Sequence, residues 1–187
     1  GFMKRMRWWV WLPLPLLVLS FAPADWRVQA LDRLDGWVSL ANAEPVSQPQ
    51  LIPAKGKIEV AFSPDGGATA LIVKALGQAR QRVLVQAYSF TSKPIAQALA
   101  AAAKRGVQVT VVLDKSQKSE RYSSADFLVN RGVETLIDDQ HAIAHNKIIL
   151  IDQDVVITGS FNFSKAAEER NAENLLVFTG NQRLAKL

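Results

Sequence analysis

A chain of 187 residues that is 49% hydrophobic, with 22 Lys and Arg against 17 Asp and Glu and a net charge of +5, has enough apolar content for one globular domain with its own core. That excludes a wholly disordered chain, and the absence of cysteine excludes disulfides and thiolate metal clusters as supports. The mild basic balance tolerates a nucleic-acid backbone as partner without requiring one.

Met3 to Arg7 is a charged run and Trp8 to Ala24 an apolar one, the arrangement of a secretory signal peptide. Residues 1–43 are therefore read as a signal peptide or N-terminal anchor region. Ala22-Pro23-Ala24, Val28-Gln29-Ala30 and Ala41-Asn42-Ala43 are candidate cleavage sites. The segment is short for a spanning helix and contains Pro13 and Pro15, so cleavage and a periplasmic or secreted protein are preferred to a membrane anchor. Residues 44–56, with Pro45, Pro49 and Pro53, read as an extended linker, and 57–187 as the folded domain.

Within the domain, Ile58 to Phe62 reads as a strand, Pro64 to Gly67 as a turn, and Leu71, Ile72, Ala75, Leu76 and Ala79 fall at helical spacing. Val83 to Ser89 is a buried strand. The next helix, from about Pro94 to Arg105, turns Ile95, Leu99 and Ala102 inward and stops at Gly106. Its small residues Ala100 to Ala103 suit close packing on a sheet, and Lys104 and Arg105 complement its dipole. Val107 to Leu113 is a strand, a short helix spans Ser124 to Asn130, and Val133 to Ile137, an apolar hairpin and Leu175 to Phe178 complete a mixed β-sheet flanked by helices, an α/β sandwich. Core packing is the default for Tyr88, Phe90, Phe161 and Phe163, with Tyr88 or Phe90 as candidates to rim a cleft and stack on a base. Lys115, Lys118 and Arg121 lie in a polar loop and are equally suited to phosphate contact or plain solvation.

The hairpin carries most of the chemistry. His145 and Lys147 lie two apart on an apolar segment, Ile143 to Ile151, and alternation puts them on one face if that segment is a strand. If Gln153 and Asp154 make a two-residue turn, Asp152 faces Val155, Lys147 pairs with Ser160 and His145 with Asn162. Gln-Asp is not a favoured pair for such a turn, and a three-residue loop shifts the register. Polar side chains in an apolar hairpin are costly, which points to function. Asp152 stands an odd number of residues from both His145 and Lys147, on the opposite face, and reads as structural support. Glu173, next to Asn174, is the better carboxylate to orient a histidine, although two acids are available. A zinc reading lacks a third histidine or any cysteine, and on a strand His141 and His145 would be roughly 13 Å apart. His141 is better read as a loop residue lining the cleft.

The spacing His145-x-Lys147-x4-Asp152-x6-Gly159-Ser160-x-Asn162 closely resembles the HxKx4Dx6GSxN signature of the phospholipase D superfamily. The likeness extends to Gln86 through Thr91 and Ala103 through Asp114, and covers roughly residues 57 to 180. It is closest to the small bacterial members with one motif per chain, which are similar to secreted, metal-independent endonucleases. The resemblance implies an αβα sandwich, no cofactor or metal, and a homodimer. One His145 cannot both attack phosphorus and protonate the leaving oxygen, so a two-fold axis would bring a second His145 into a shared site. In that reading one His145 becomes phosphohistidine and the other acts as acid, then base. Lys147 and Asn162 from both chains bind the non-bridging oxygens, and Ser160 adds a hydroxyl donor. The substrate implied is nucleic acid, with membrane phospholipid as the rival and a noncatalytic nucleic-acid-binding or membrane adaptor as the third reading. Relatives of this kind continue through another helix, of which Gln182 to Leu187 reads as the opening turn.

Overall fold

The computed structural model describes residues 48–120 and 123–187, so the export-like segment at 1–43 and the candidate phosphate contact Arg121 lie outside the described residues. Gln50–Leu187 is one compact unit. Seven strands form a single mixed sheet: β1 (Lys57–Ser63), β2 (Arg82–Ala87), β3 (Gln108–Asp114), β4 (Glu134–Asp138), β5 (Lys147–Ile151), β6 (Val155–Gly159) and β7 (Glu173–Thr179). They lie in the order β1-β7-β6-β5-β2-β3-β4. β2, β3 and β4 run parallel, and the other neighbouring pairs are antiparallel.

The parallel strands need crossovers, and the sequence supplies helices for them. α1 (Ala68–Gly77) lies between β1 and β2, α2 (Lys93–Lys104) between β2 and β3, and α3 (Ala125–Asn130) between β3 and β4. Ile72 and Leu76 of α1 and Ile95, Leu99 and Ala102 of α2 are buried together with Val83, Val85, Val109, Val111, Ile149 and Val177. These strand residues alternate along their strands, so the main core lies on one face of the sheet. At the far ends of α1 and α2, Arg105 Nη2 donates to Leu76 O at 3.0 Å and ties the two helices together. Phe90, Phe161 and Phe163 are all fully buried, with Phe90 and Phe163 edge to face at 5.9 Å, so these three serve the core and none stacks on a ligand. The short helices α4 (Lys165–Glu169) and α5 (Gln182–Ala185) follow β6 and β7, and α5 stands where an opening helical turn is anticipated.

Two local expectations are corrected. The strand expected from Ile143 begins only at Lys147, because carboxylates take the backbone donors before it. Asp138 Oδ1 accepts from Gln140 N and His141 N, at 3.0 and 3.2 Å, and Asp114 Oδ2 accepts from Ala144 N at 2.8 Å. The hairpin register also differs. Ile151 pairs with Val155 and Ile149 with Ile157, so the turn is a three-residue loop and not the two-residue turn that aligns Lys147 with Ser160 and His145 with Asn162. Asp152 sets this geometry. Its φ of 54° is left-handed, and its N–H donates to Arg82 O on β2 and not across the hairpin.

The Asp152 carboxylate explains why that conformation persists. It accepts from the N–H groups of Arg80, Gln81 and Arg82, at 2.8 to 3.3 Å, and so fastens the loop between α1 and β2 to the hairpin. Replacing Asp152 with Ala leaves three backbone donors without this partner and is expected to lower stability by about 1–3 kcal/mol, read by urea denaturation.

Candidate active site

Five strand ends converge on one rim of the sheet: the C-terminal ends of β2, β3 and β6 and the N-terminal ends of β5 and β7. Ala87 pairs with Lys147 and Gly159 with Leu175, so Tyr88, His145, Ser160 and Glu173 all leave the sheet at this rim. The placement obeys the rule that open α/β sheets work at the carboxyl ends of their parallel strands.

His145 is exposed on the loop before β5, and its ring packs on Tyr88 with centroids 4.6 Å apart and planes tilted by 54°. No hydrogen bond joins its imidazole to another described residue. Lys147 is 8% exposed, and its ammonium donates to His145 O at 2.7 Å while lying 5.2 Å from the centre of the Tyr88 ring. Tyr88 thus touches both residues, and its own N–H donates to Asn146 O at 3.0 Å. Burial pushes the Lys147 ammonium down from its ordinary value, and the nearby negative charge of Glu173 opposes this. The Glu173 carboxylate accepts from Asn171 Nδ2 at 3.1 Å; it approaches the site through Lys147 and makes no hydrogen bond to His145 in this chain.

The Gly159-Ser160-x-Asn162 segment is built by a different contact. Asn174 grips it from β7: Ser160 N donates to both Asn174 O and Oδ1, at 3.1 Å each, and Asn174 N donates to Ser160 Oγ at 3.0 Å. A Cβ on Gly159 would lie 2.3 Å from Asn174 O, and its φ of 148° is one that residues with side chains rarely adopt, so this position requires glycine. Ser160 is exposed, with its hydroxyl hydrogen left to donate outward. Asn162 Oδ1 is buried without a hydrogen-bond partner among the described residues, a state that costs about 1–3 kcal/mol until a donor reaches it.

Asp114 is the residue that sequence reasoning missed. It ends β3 and is 3% exposed. One carboxylate oxygen accepts from Ser116 N at 2.9 Å and the other from Ala144 N, next to His145. Hydrogen bonding from the Ser116 side chain is the largest influence and holds the Asp114 carboxyl below its usual range; burial pushes it up, and the N–H groups of Ser116 and Ala144 and the charge of Lys115 add to the lowering. A polar residue closing the apolar run from Val107 to Leu113 was the available signal. His141 sits on the same loop, its Nδ1 2.7 Å from Asp138 Oδ2, and its carbonyl accepts from Lys115 Nζ at 3.1 Å. That contact lowers the Asp138 carboxyl, chiefly through the histidine ring. Asp138, His141, Ala144 and His145 line one shallow cleft. No cluster of three or more metal-ligating side chains forms among the described residues.

The sequence and the fold are similar to those of known proteins. The family model described as "Cardiolipin synthase, PLD-like domain" matches residues 72–187. The chain belongs to the phospholipase D-like family. Within that family, a protein named phospholipase D from Rickettsia bellii is 41% identical over 124 residues, which are 66% of this chain and 62% of that one. The chain thus spans less than two thirds of the length of that curated relative. The crystal structure of the phospholipase D family member Nuc from Salmonella typhimurium superposes with a TM-score of 0.67 at 40% identity, covering 70% of this chain and 87% of that one. The human mitochondrial cardiolipin hydrolase is 30% identical over 128 residues, 64% of this chain and 51% of its own length. The mixed sheet with flanking helices is the phospholipase D-like fold.

Asp114 makes a pH-dependent contribution. Its folded carboxyl lies below the unfolded value, so its stabilisation is present above the unfolded pKa, about 3.9, and is lost as pH falls through the lower folded value. Asp114→Asn is expected to lower stability by about 1–3 kcal/mol at neutral pH, with the gap to wild type closing in acid; thermal melts from pH 7 down to about pH 2 read it.

Proposed function

We propose that this chain is a phosphodiesterase that works without a metal ion, through a phosphohistidine at His145, and that its substrate is nucleic acid, cut as by a nonspecific endonuclease of DNA and RNA. The observation that carries the reading is His145 itself, an exposed imidazole with neither nitrogen bonded to another described residue, backed by Tyr88 and beside the buried Lys147. Attack by the imidazole on phosphorus expels an alcohol, which needs a proton, and water then cleaves the P–N bond to release the phosphomonoester. Lys147, Asn162 and Ser160 supply cation and donors for the phosphoryl oxygens, in the manner of an oxyanion hole. Glu173 balances the charge of Lys147, and Asp152 supports the hairpin from outside the chemistry.

The leaving alcohol needs a proton, and in this reading it comes from a second His145 and not from His141, whose Nδ1 is engaged by Asp138. A second copy supplies it: two chains meet across a two-fold axis and bring their His145 side chains to one phosphate. The unpaired Asn162 oxygen suits a surface completed by a partner or substrate. The apolar N-terminal segment supports export to the periplasm or beyond. Likeness to Nuc over 87% of its chain supports the nuclease reading. A lipid substrate is the second reading, favoured by the relatives named phospholipase D and cardiolipin hydrolase.

Plasmid nicking in excess EDTA is the direct test; an intact plasmid with folded wild type overturns the nuclease reading, and release of phosphatidic acid from vesicles under the same conditions establishes the lipid one. His145→Ala is expected to remove the acid-labile phosphoenzyme and lower turnover by at least about 10³-fold. Light scattering on the active species is expected to give twice the chain mass, and full turnover by a monomer would exclude the shared site.

A further inference from the structure

The rim has a neighbour that the chemistry above does not use. α2 starts at Lys93, and its N-cap is Ser92, which is 4% exposed yet caps nothing: its hydroxyl bonds no backbone N–H and no other described residue. A serine at an N-cap ordinarily accepts from the second or third N–H of the helix. Here the second residue is Pro94, which has none, and the N–H groups of Lys93 and Ile95 are left without acceptors among the described residues. Ser92 lines a surface cleft with Thr91, Lys93, Lys165, Glu168 and Glu169.

The carboxylates in this cleft are already committed. Glu168 accepts from Gly67 N and Thr69 N at the start of α1, at 3.1 and 2.7 Å, and Glu169 pairs with Lys165 at 3.4 Å. Lys93 has no carboxylate partner among the described residues. What remains unspent is one ammonium, the unbonded hydroxyl of Ser92, free N–H groups and the positive end of a twelve-residue helix, all complementary to an anion. The cleft is also tied to the active rim. Phe163 O accepts from Thr91 N and Ser92 N at 3.0 and 2.8 Å, and Phe163 directly follows Asn162.

We propose that this cleft is a second phosphate-binding site, in which Ser92, Lys93 and the start of α2 hold a flanking phosphate of a polynucleotide whose scissile phosphate lies at His145. The inference rests on the nucleic-acid reading for its substrate, but the phosphate site itself does not depend on catalysis. It predicts that the cleft contributes to binding a polymer and nothing to the reaction of a small diester.

The test uses the full chain with Lys93→Glu and, as a second variant, Ser92→Ala. On a twelve-nucleotide single strand, Lys93→Glu is expected to raise KM about tenfold with kcat unchanged, while hydrolysis of bis(4-nitrophenyl) phosphate, which has no flanking phosphate, stays at the wild-type rate. Ser92→Ala is expected to move KM in the same direction by a smaller factor. No change on the oligonucleotide, or equal loss on both substrates, overturns the proposal. If wild type turns over neither substrate, the catalytic reading fails and inorganic phosphate decides the site. Saturable amide shifts at Lys93 and Ile95 that vanish in Lys93→Glu support it, and their absence in wild type overturns it.

Discussion

The antiparallel ladder between β2 and β5, from Val83 paired with Ile151 to Ala87 paired with Lys147, is the contact on which the site depends. β2 otherwise belongs to a parallel unit with β3 and β4, and β5 enters it from the opposite direction. The junction sets the C-terminal end of β2 beside the N-terminal end of β5, so Tyr88 leaves the sheet where Lys147 enters it. The aromatic face against His145 and Lys147 follows from that pairing alone. β6 and β7 then extend the antiparallel half and bring Ser160 and Glu173 to the same rim.

The rim is held by carboxylates and amides that bind backbone, while the His145 ring makes no hydrogen bond to another described residue. Asp114 fixes the residue before His145, Asp152 fixes the far end of the same strand, and Asn174 fixes Ser160. Each contact commits a polar side chain, buried at Asp114, half-buried at Asp152 and exposed at Asn174, to a backbone N–H, which rigidifies the frame without bonding the His145 ring. Such a frame suits the nucleophile role proposed for His145, since a hydrogen bond to a reacting nitrogen competes with attack.

Sequence periodicity made most of the sheet legible. β1, β2, β3 and β4 have apolar alternation or buried runs, and the helices between them carry inward residues at helical spacing, with Gly106 and Gly132 after the second and third helices. The hairpin register was not legible, because it depends on the left-handed Asp152 and on a carboxylate whose partners, Arg80 to Arg82, lie on another loop. The early strand start at Ile143 failed for a similar reason: Asp114, distant in sequence, claimed the N–H of Ala144 that a strand would have used. Motif spacing identified which residues reach the rim. It had no means to show that Tyr88 joins two of them, since ring contacts between strands depend on a register that composition does not encode.

β1 has one strand neighbour, β7, and Ser63 Oγ donates to Asn171 O from 108 residues away along the chain. The first strand of the domain is thus the last to be paired, and the parallel unit of β2, β3 and β4 can assemble before it. During synthesis, β1 has no sheet to join until β7 has emerged, and Ser160 has no Asn174 to grip it. The rim is therefore closed by the last of the seven described strands. A chain leaving the ribosome has an open rim until almost all of the described domain has been delivered, so the topology itself sets the moment at which the rim is complete.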